Sequence, residues 1–171
     1  MLQFSLPSES NREDVLAFYQ EFEEDGGSCI GFAHRKNYDL WLREMRNRAA
    51  GENLPEGYVR ENFYLVYEGP VLVGVFSLKF ELTQYLLDFG GHVGYAVRPS
   101  RRNRGLATQI LRQGLEIARN FGFTKILAVC DEDNFLSEKF ILKNGGVLET
   151  TLAGPDGNVV RHYWIELGAE G

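Results

Sequence analysis

Val97-Arg-Pro-Ser-Arg-Arg-Asn-Arg-Gly-Leu-Ala-Thr108 is the stretch on which the reading of this chain turns. Just upstream, His92 to Val97 is a short run of β-branched and aromatic residues, and Pro99, which lacks a ladder donor, ends it as a strand. Just downstream, Leu106, Ile110, Leu111, Leu115 and Ala118 recur at helical spacing within Arg104 to Phe121, and Gly122 stands where a helix stops. Lys125-Ile-Leu-Ala-Val-Cys130 follows, a continuous apolar run of the kind a sheet buries on both faces. Strand, helix and strand in that order make a right-handed βαβ crossover with a parallel pair.

Further out, Phe63 to Tyr67 and Val71 to Phe80 flank Glu68-Gly-Pro70 and predict an antiparallel hairpin. Glu81 to Gly90 reads as a connection holding a helical turn. Toward the N-terminus, Val15, Leu16, Phe18, Tyr19 and Phe22 predict a helix over Glu13 to Glu24, capped by Ser10 or Asn11 and stopped by Gly26-Gly27. Leu40, Trp41, Leu42, Met45 and Ala49 predict a second over Tyr38 to Ala50. Toward the C-terminus, Asp133 or Asn134 caps a helix ending at Asn144-Gly-Gly146, and Val147 to Leu152 and Val159 to Leu167 form a last hairpin around Gly154-Pro-Asp-Gly-Asn158. The order ααβββαβαββ is an α+β domain with a mixed sheet and the parallel pair at its centre.

The 171 residues carry 18 Lys+Arg against 24 Asp+Glu, a formal net charge of −6, which disfavours a general nucleic-acid binder. Cys29 and Cys130 are too far apart in sequence for a metal-ligand spacing, so no metal and no disulfide framework is expected. The first ten residues lack the basic start and apolar core of a secretory signal, and no apolar run approaches the roughly 18 residues of a membrane span. The expected protein is cytoplasmic and makes no use of a membrane.

Against that acidic background, Arg98, Arg101, Arg102 and Arg104 crowd one strand-to-helix junction. The first N–H groups of a helix have no intrahelical partner and its dipole is positive there, so an anion is favoured. Gly105 permits the tight turn and Ala107 lets phosphate oxygens approach the main chain. Arg102-x-x-Gly105-x-Ala107 therefore reads as a pyrophosphate cradle, with solvated loop arginines as the bland alternative. Neither GxxxxGK[ST] nor GxGxxG occurs, which excludes two other phosphate motifs.

These residues resemble the coenzyme A pyrophosphate motif of the GNAT superfamily of acyl-CoA N-acyltransferases. Asn134-x-x-Ser137-x-x-Phe140-Ile141-x-Lys143-x-Gly145 is similar to that family's pattern on the next helix. The resemblance runs from Phe63 to Leu167. It implies a GNAT-like sheet of about six to seven strands, flanked by about four helices and splayed between residues 92–97 and 125–130. It implies one acyltransferase domain over 1–171, with acceptor-side helices in 1–60 and a coenzyme A-binding core in 61–168. Acetyl-CoA would lie with its pantetheine amides against Tyr95, Ala96 and Val97. Its pyrophosphate would rest on Arg102, Asn103, Arg104, Gly105, Leu106, Ala107 and Thr108, and Asn134 and Ser137 would complete the site. The implied reaction is direct attack by a primary amine of a small molecule or peptide, with no metal.

Many members carry a tyrosine, the acid for the departing thiolate, where this chain has Ile141, so that role does not transfer. Tyr95 and Tyr163 are the conceivable substitutes. For the base that frees the amine of its proton, His92 leads and Glu81 follows, whereas His34 and His162 have no context that singles them out. Cys130 reads as a small buried residue rather than a nucleophile, and Glu21 to Asp25 as a solvated helix end. The alternative function is an acyl-CoA-binding sensor without turnover, and a binder of small polyanions or RNA ends is a third. The exposed edge of the last hairpin offers a surface on which two copies could pair into a homodimer.

Overall fold

Seven strands arranged in two sheets make up the β structure of the described residues, 1–32 and 37–168 of a computed structural model. The first sheet has the order β1 (Leu2–Ser5), β2 (Glu61–Glu68), β3 (Val71–Lys79), β4 (Val93–Val97). The second has the order β5 (Lys125–Asp131), β7 (Val159–Glu166), β6 (Gly146–Ala153). Four α-helices accompany them: α1 (Arg12–Glu24), α2 (Tyr38–Ala50), α3 (Leu106–Asn120) and α4 (Phe135–Lys143). The helical turn expected between residues 81 and 90 is a π turn over Leu86–Gly90. His34 lies outside the described residues.

The first sheet has a helix layer on each face. On one face α1 and α2 press Phe18, Phe22, Trp41 and Met45 against Phe63, Leu65 and Val75, with Phe32 stacked on Trp41 at 5.3 Å. On the other, α3 lays Ile110, Leu111 and Leu115 on Phe76 and Leu78, in a core that continues into Ile126, Ile141 and Tyr163. Each such side chain contributes roughly 1.5–3 kcal/mol by leaving water. Residues 1–60 also contain a strand the sequence did not announce, since β1 pairs antiparallel with β2, Leu2 opposite Glu68 and Ser5 opposite Leu65. The charged end of α1 is not merely solvated, because Glu21 pairs with Arg98 and Asp25 with Arg102 at 2.7 Å.

All the described ladders are antiparallel. The expected parallel pair, β4 and β5, lies side by side without a ladder, and β7 pairs with β5 on its far side. His92 holds the two together at one end. Its N–H donates to the Leu127 carbonyl at 2.8 Å, and its Nδ1 accepts the Leu127 N–H at 2.9 Å. Gly91 precedes it at φ 68°, and a Cβ there would sit 2.7 Å from that same carbonyl, so only glycine fits where the strands touch. Beyond this bridge the strands part.

Candidate active site

Two hollows open from the parting of β4 and β5. A groove of about 570 Å³ runs from Tyr95, Ala96 and Val97 on β4 to the start of α3 and along α4. A wider cleft of about 950 Å³ lies beyond it, walled by α2, β2, β3, the π turn and the end of β5. Tyr95, Asn134 and Ser137 line both, so the hollows meet there.

The groove has the features of an anion site at its inner end. Gly105 is the N-cap of α3 in the left-handed region at φ 74° and supplies no side-chain cap, which leaves the first-turn N–H groups to a ligand. A Cβ on Gly105 would meet nothing closer than Gln109 Nε2 at 4.0 Å, so backbone angle and not crowding calls for glycine there. Asn103 is also left-handed, at φ 62°. Of the residues proposed from sequence, Tyr95, Ala96, Val97, Arg102, Asn103, Gly105, Leu106, Ala107, Thr108, Asn134 and Ser137 all line the groove, whereas Arg104 does not. Arg101 lines it instead, together with Lys139 and Lys143. Lys143 stands in the α4 motif read from the sequence but was given no site role there, and Lys139, one helical turn before it, was missed, although the i, i+4 spacing puts the two on one face.

Asn134 also caps α4, its Oδ1 accepting the Ser137 N–H at 3.1 Å, which leaves its amide NH₂ for the groove. The Tyr95 hydroxyl is buried and, among the described residues, has no partner that meets hydrogen-bond geometry. Burial pushes its pKa up to about 12, with the Ser137 hydroxyl close enough to oppose the shift in part. A buried hydroxyl without a partner is uncommon and disfavoured, and this one sits where groove and cleft join. It is the best fit in the structure to a bound group bearing an acceptor or a nascent anion.

The proposed bases fare differently. His92 has committed Nδ1 to Leu127, which puts the neutral ring's proton on Nε2. Burial, with the Lys79 charge adding to it, lowers its pKa to about 4. The ring packs edge-on against Phe123 at 5.5 Å and Trp164 at 6.2 Å, outside the residues lining either hollow. Its nitrogen holds the fold together and has no lone pair left for a substrate proton. Glu81 is exposed and lines neither hollow. Tyr163 is buried, gives its O–H to Glu138 Oε1 at 2.6 Å and lines neither. Cys130 lines the cleft, and burial pushes its thiol up to about 11, consistent with a packing role. The carboxylates that do line the cleft are Glu56, Glu61 and Asp131.

Residues 5–145 match the Acetyltransferase (GNAT) family, and the chain belongs to that family. Several solved structures share its fold over nearly its whole length. The ribosomal L7/L12 α-N-protein acetyltransferase RimL, in complex with coenzyme A, is 17% identical with a TM-score of 0.74 and covers 99% of this chain and 96% of its own. The Salmonella typhimurium protein yncA, with its cofactor acetyl-CoA, is 13% identical with a TM-score of 0.66 over the same shares, 99% and 96%. A chimera of the spermidine N-acetyltransferase SpeG from Vibrio cholerae with hSSAT is 15% identical with a TM-score of 0.66, covering 97% and 96%. No curated protein matches the sequence. Among the described residues no cluster of His, Cys, Asp and Glu could hold a metal, and no helix is long and apolar enough to cross a membrane.

Proposed function

We propose that this chain is a cytoplasmic N-acetyltransferase that moves an acetyl group from acetyl-CoA to a primary amine of a small molecule or peptide by direct attack. The observation that carries this is the meeting of groove and cleft at Tyr95, Asn134 and Ser137, with the uncapped start of α3 at one end of the path. Acetyl-CoA supplies an activated thioester. The main chain from Arg102 to Ala107 and the Thr108 hydroxyl hold its pyrophosphate, with Arg101, Lys139 and Lys143 adding positive charge. The open edge of β4 from Tyr95 to Val97 and the free amide of Asn134 receive the pantetheine.

Tyr95 takes the part that Ile141, buried on α4, cannot play. With its pKa at about 12 the phenol stays protonated at neutral pH, a donor where sulfur gains charge. Proton removal from the amine falls to Asp131, next to Cys130 on the β5 wall of the cleft, one of whose oxygens accepts the Asn158 side chain at 2.9 Å. Tyr95→Phe should lower turnover about 10²-fold at all pH values. Asp131→Asn should lower it mainly near neutrality and recover as the amine deprotonates on its own. A Tyr95→Phe enzyme of unchanged kcat, or a pH-independent loss in Asp131→Asn, removes the corresponding role.

The reading as a whole is tested by calorimetric titration with acetyl-CoA, followed by thiol release over an amine panel. One-to-one micromolar binding with amine-dependent release supports it. Binding without release would make the chain an acyl-CoA-binding sensor, and no binding would end both readings.

A further inference from the structure

The cleft holds an unbalanced group of charges that the acetyl-CoA site does not use. Glu61 begins β2 and stands directly opposite Lys79 at the end of β3, because a bulge between Val66 and Tyr67 shifts the register there. Arg48, in the last turn of α2, reaches over to them. Its Nη1 lies 3.2 Å from Glu61 Oε2, and its guanidinium stacks on Tyr58 at 4.8 Å. Lys79 Nζ is 3.8 Å from Glu61 Oε1, an ion pair too long for a hydrogen bond. The side chains are largely withdrawn from water, 15% exposed for Arg48, 21% for Lys79 and 9% for Glu61.

Two cations share one carboxylate, so the cluster keeps one positive charge in a poorly solvated wall. Of the hydrogen-bond donors, Arg48 uses one on Glu61, and Lys79 uses none among the described residues. Buried charge is retained at a cost unless it is paired and hydrogen-bonded. The missing partner is a single negative charge. A phosphate dianion would overcompensate beside Glu61, whereas a carboxylate restores neutrality and matches the fork of Arg48. The other lining carboxylates, Glu56 and Asp131, are exposed and suit an amine rather than an acid.

We infer that the amine acceptor carries a carboxylate, and that this group docks between Lys79 and Arg48. The inference rests on the acceptor occupying the cleft, as proposed above. It makes the substrate a zwitterion such as an amino acid or a short acidic peptide, its amine pointing toward the junction at Tyr95 and its carboxylate toward the α2 wall.

The test compares 4-aminobutyrate with its twin 4-aminobutanamide, whose acid group is an uncharged amide, titrated into the 171-residue chain and followed by the backbone amide signals of Ser77, Lys79 and Glu61. The acid should saturate at a concentration about tenfold below the amide, a difference of 1.4 kcal/mol. Lys79→Met should erase the preference, and Lys79→Arg, which keeps the charge, should restore it. Equal binding of the twins, no saturable shift with either, or a preference that survives Lys79→Met would overturn the inference. A parallel acetyl-CoA titration separates the two readings, because Lys79→Met should leave it unchanged. A protein that fails to bind acetyl-CoA yet prefers the acid would refute the donor assignment and not the carboxylate site.

Discussion

His92 shows how one ring can be read two ways. A histidine opening a cleft strand suggests a base, but its N–H and its Nδ1 both bond Leu127 while its carbonyl accepts the Lys79 N–H, so among the described residues the two Leu127 bonds tie β5 to the start of β4. His92→Ala should therefore act on stability, by roughly 1–3 kcal/mol for the buried Leu127 N–H left unpaired, and leave the shape of the pH–rate profile unchanged. Denaturant unfolding and a pH–rate series on the variant check both halves, and a lost titration in the rate profile would return the ring to catalysis. The pH dependence of folding has a definite sign. With an ordinary pKa of 6.5 in the unfolded chain and about 4 in the fold, the unfolded state takes up the proton first. Stability from His92 is therefore complete above about 6.5 and declines as pH falls from there toward 4. In His92→Gln that part of the decline should vanish. Nothing in the residues around position 92 reveals this role, since it depends on where Leu127 arrives in space.

At the scale of elements, helices and strands with strong periodicity were legible, as were the pairings within the two hairpins, β2 with β3 and β6 with β7, whereas the partners of β1 and β5 were not. The helix over Tyr38 to Ala50 follows from Trp41, Leu42 and Met45, whereas its cap, the Asn37 side chain accepting the Leu40 N–H at 3.0 Å, is seen only in the structure. The strand over Leu2–Ser5 escaped because four residues carry little pattern and its partner is some sixty positions away. The hairpin of β2 and β3 was legible, but its bulge was not. Counted without it from the Glu68 and Val71 pair, Glu61 would face Leu78 rather than Lys79, and the charged cluster would not exist. The groove was legible almost throughout, because a helix N-terminus carries its anion site in local backbone. Helix α4 permits a test of one residue with two duties. Asn134→Ser should keep the cap, and with it stability to within a few tenths of a kcal/mol, while weakening acetyl-CoA binding through loss of the amide. Asn134→Ala should lose about 1 kcal/mol as well. Thermal unfolding and calorimetry distinguish them, and equal acetyl-CoA affinity in Asn134→Ser would restrict Asn134 to capping.

For the molecule as a whole, the second sheet ends on β6, most of whose side chains are exposed, Val147 at 68% and Leu148 at 50%. Phe135 and Leu136 on α4 are also exposed, at 68% and 66%. An unprotected apolar edge strand invites a second strand, and pairing with a second copy about a two-fold axis would satisfy its free peptide groups. We expect a dimer in sedimentation at micromolar concentration, converted to monomer by Val147→Lys without change in acetyl-CoA binding. A wild-type monomer over that range would rule the pairing out. This expectation was readable from the hairpin at the C-terminus, whereas the exposure of β6 on both faces was not.

The parting of β4 from β5 has a further consequence, for colloidal behaviour. Each strand has neighbours on one side only, so two rows of unpaired peptide groups face each other across a slot. Such rows are normally where chains stick together. Here they look inward, within reach of a slender extended ligand and out of reach of a folded neighbour. Heating that loosens the Leu127 bridge would turn them outward, so ligand in the slot should delay turbidity more than the gain in midpoint alone explains.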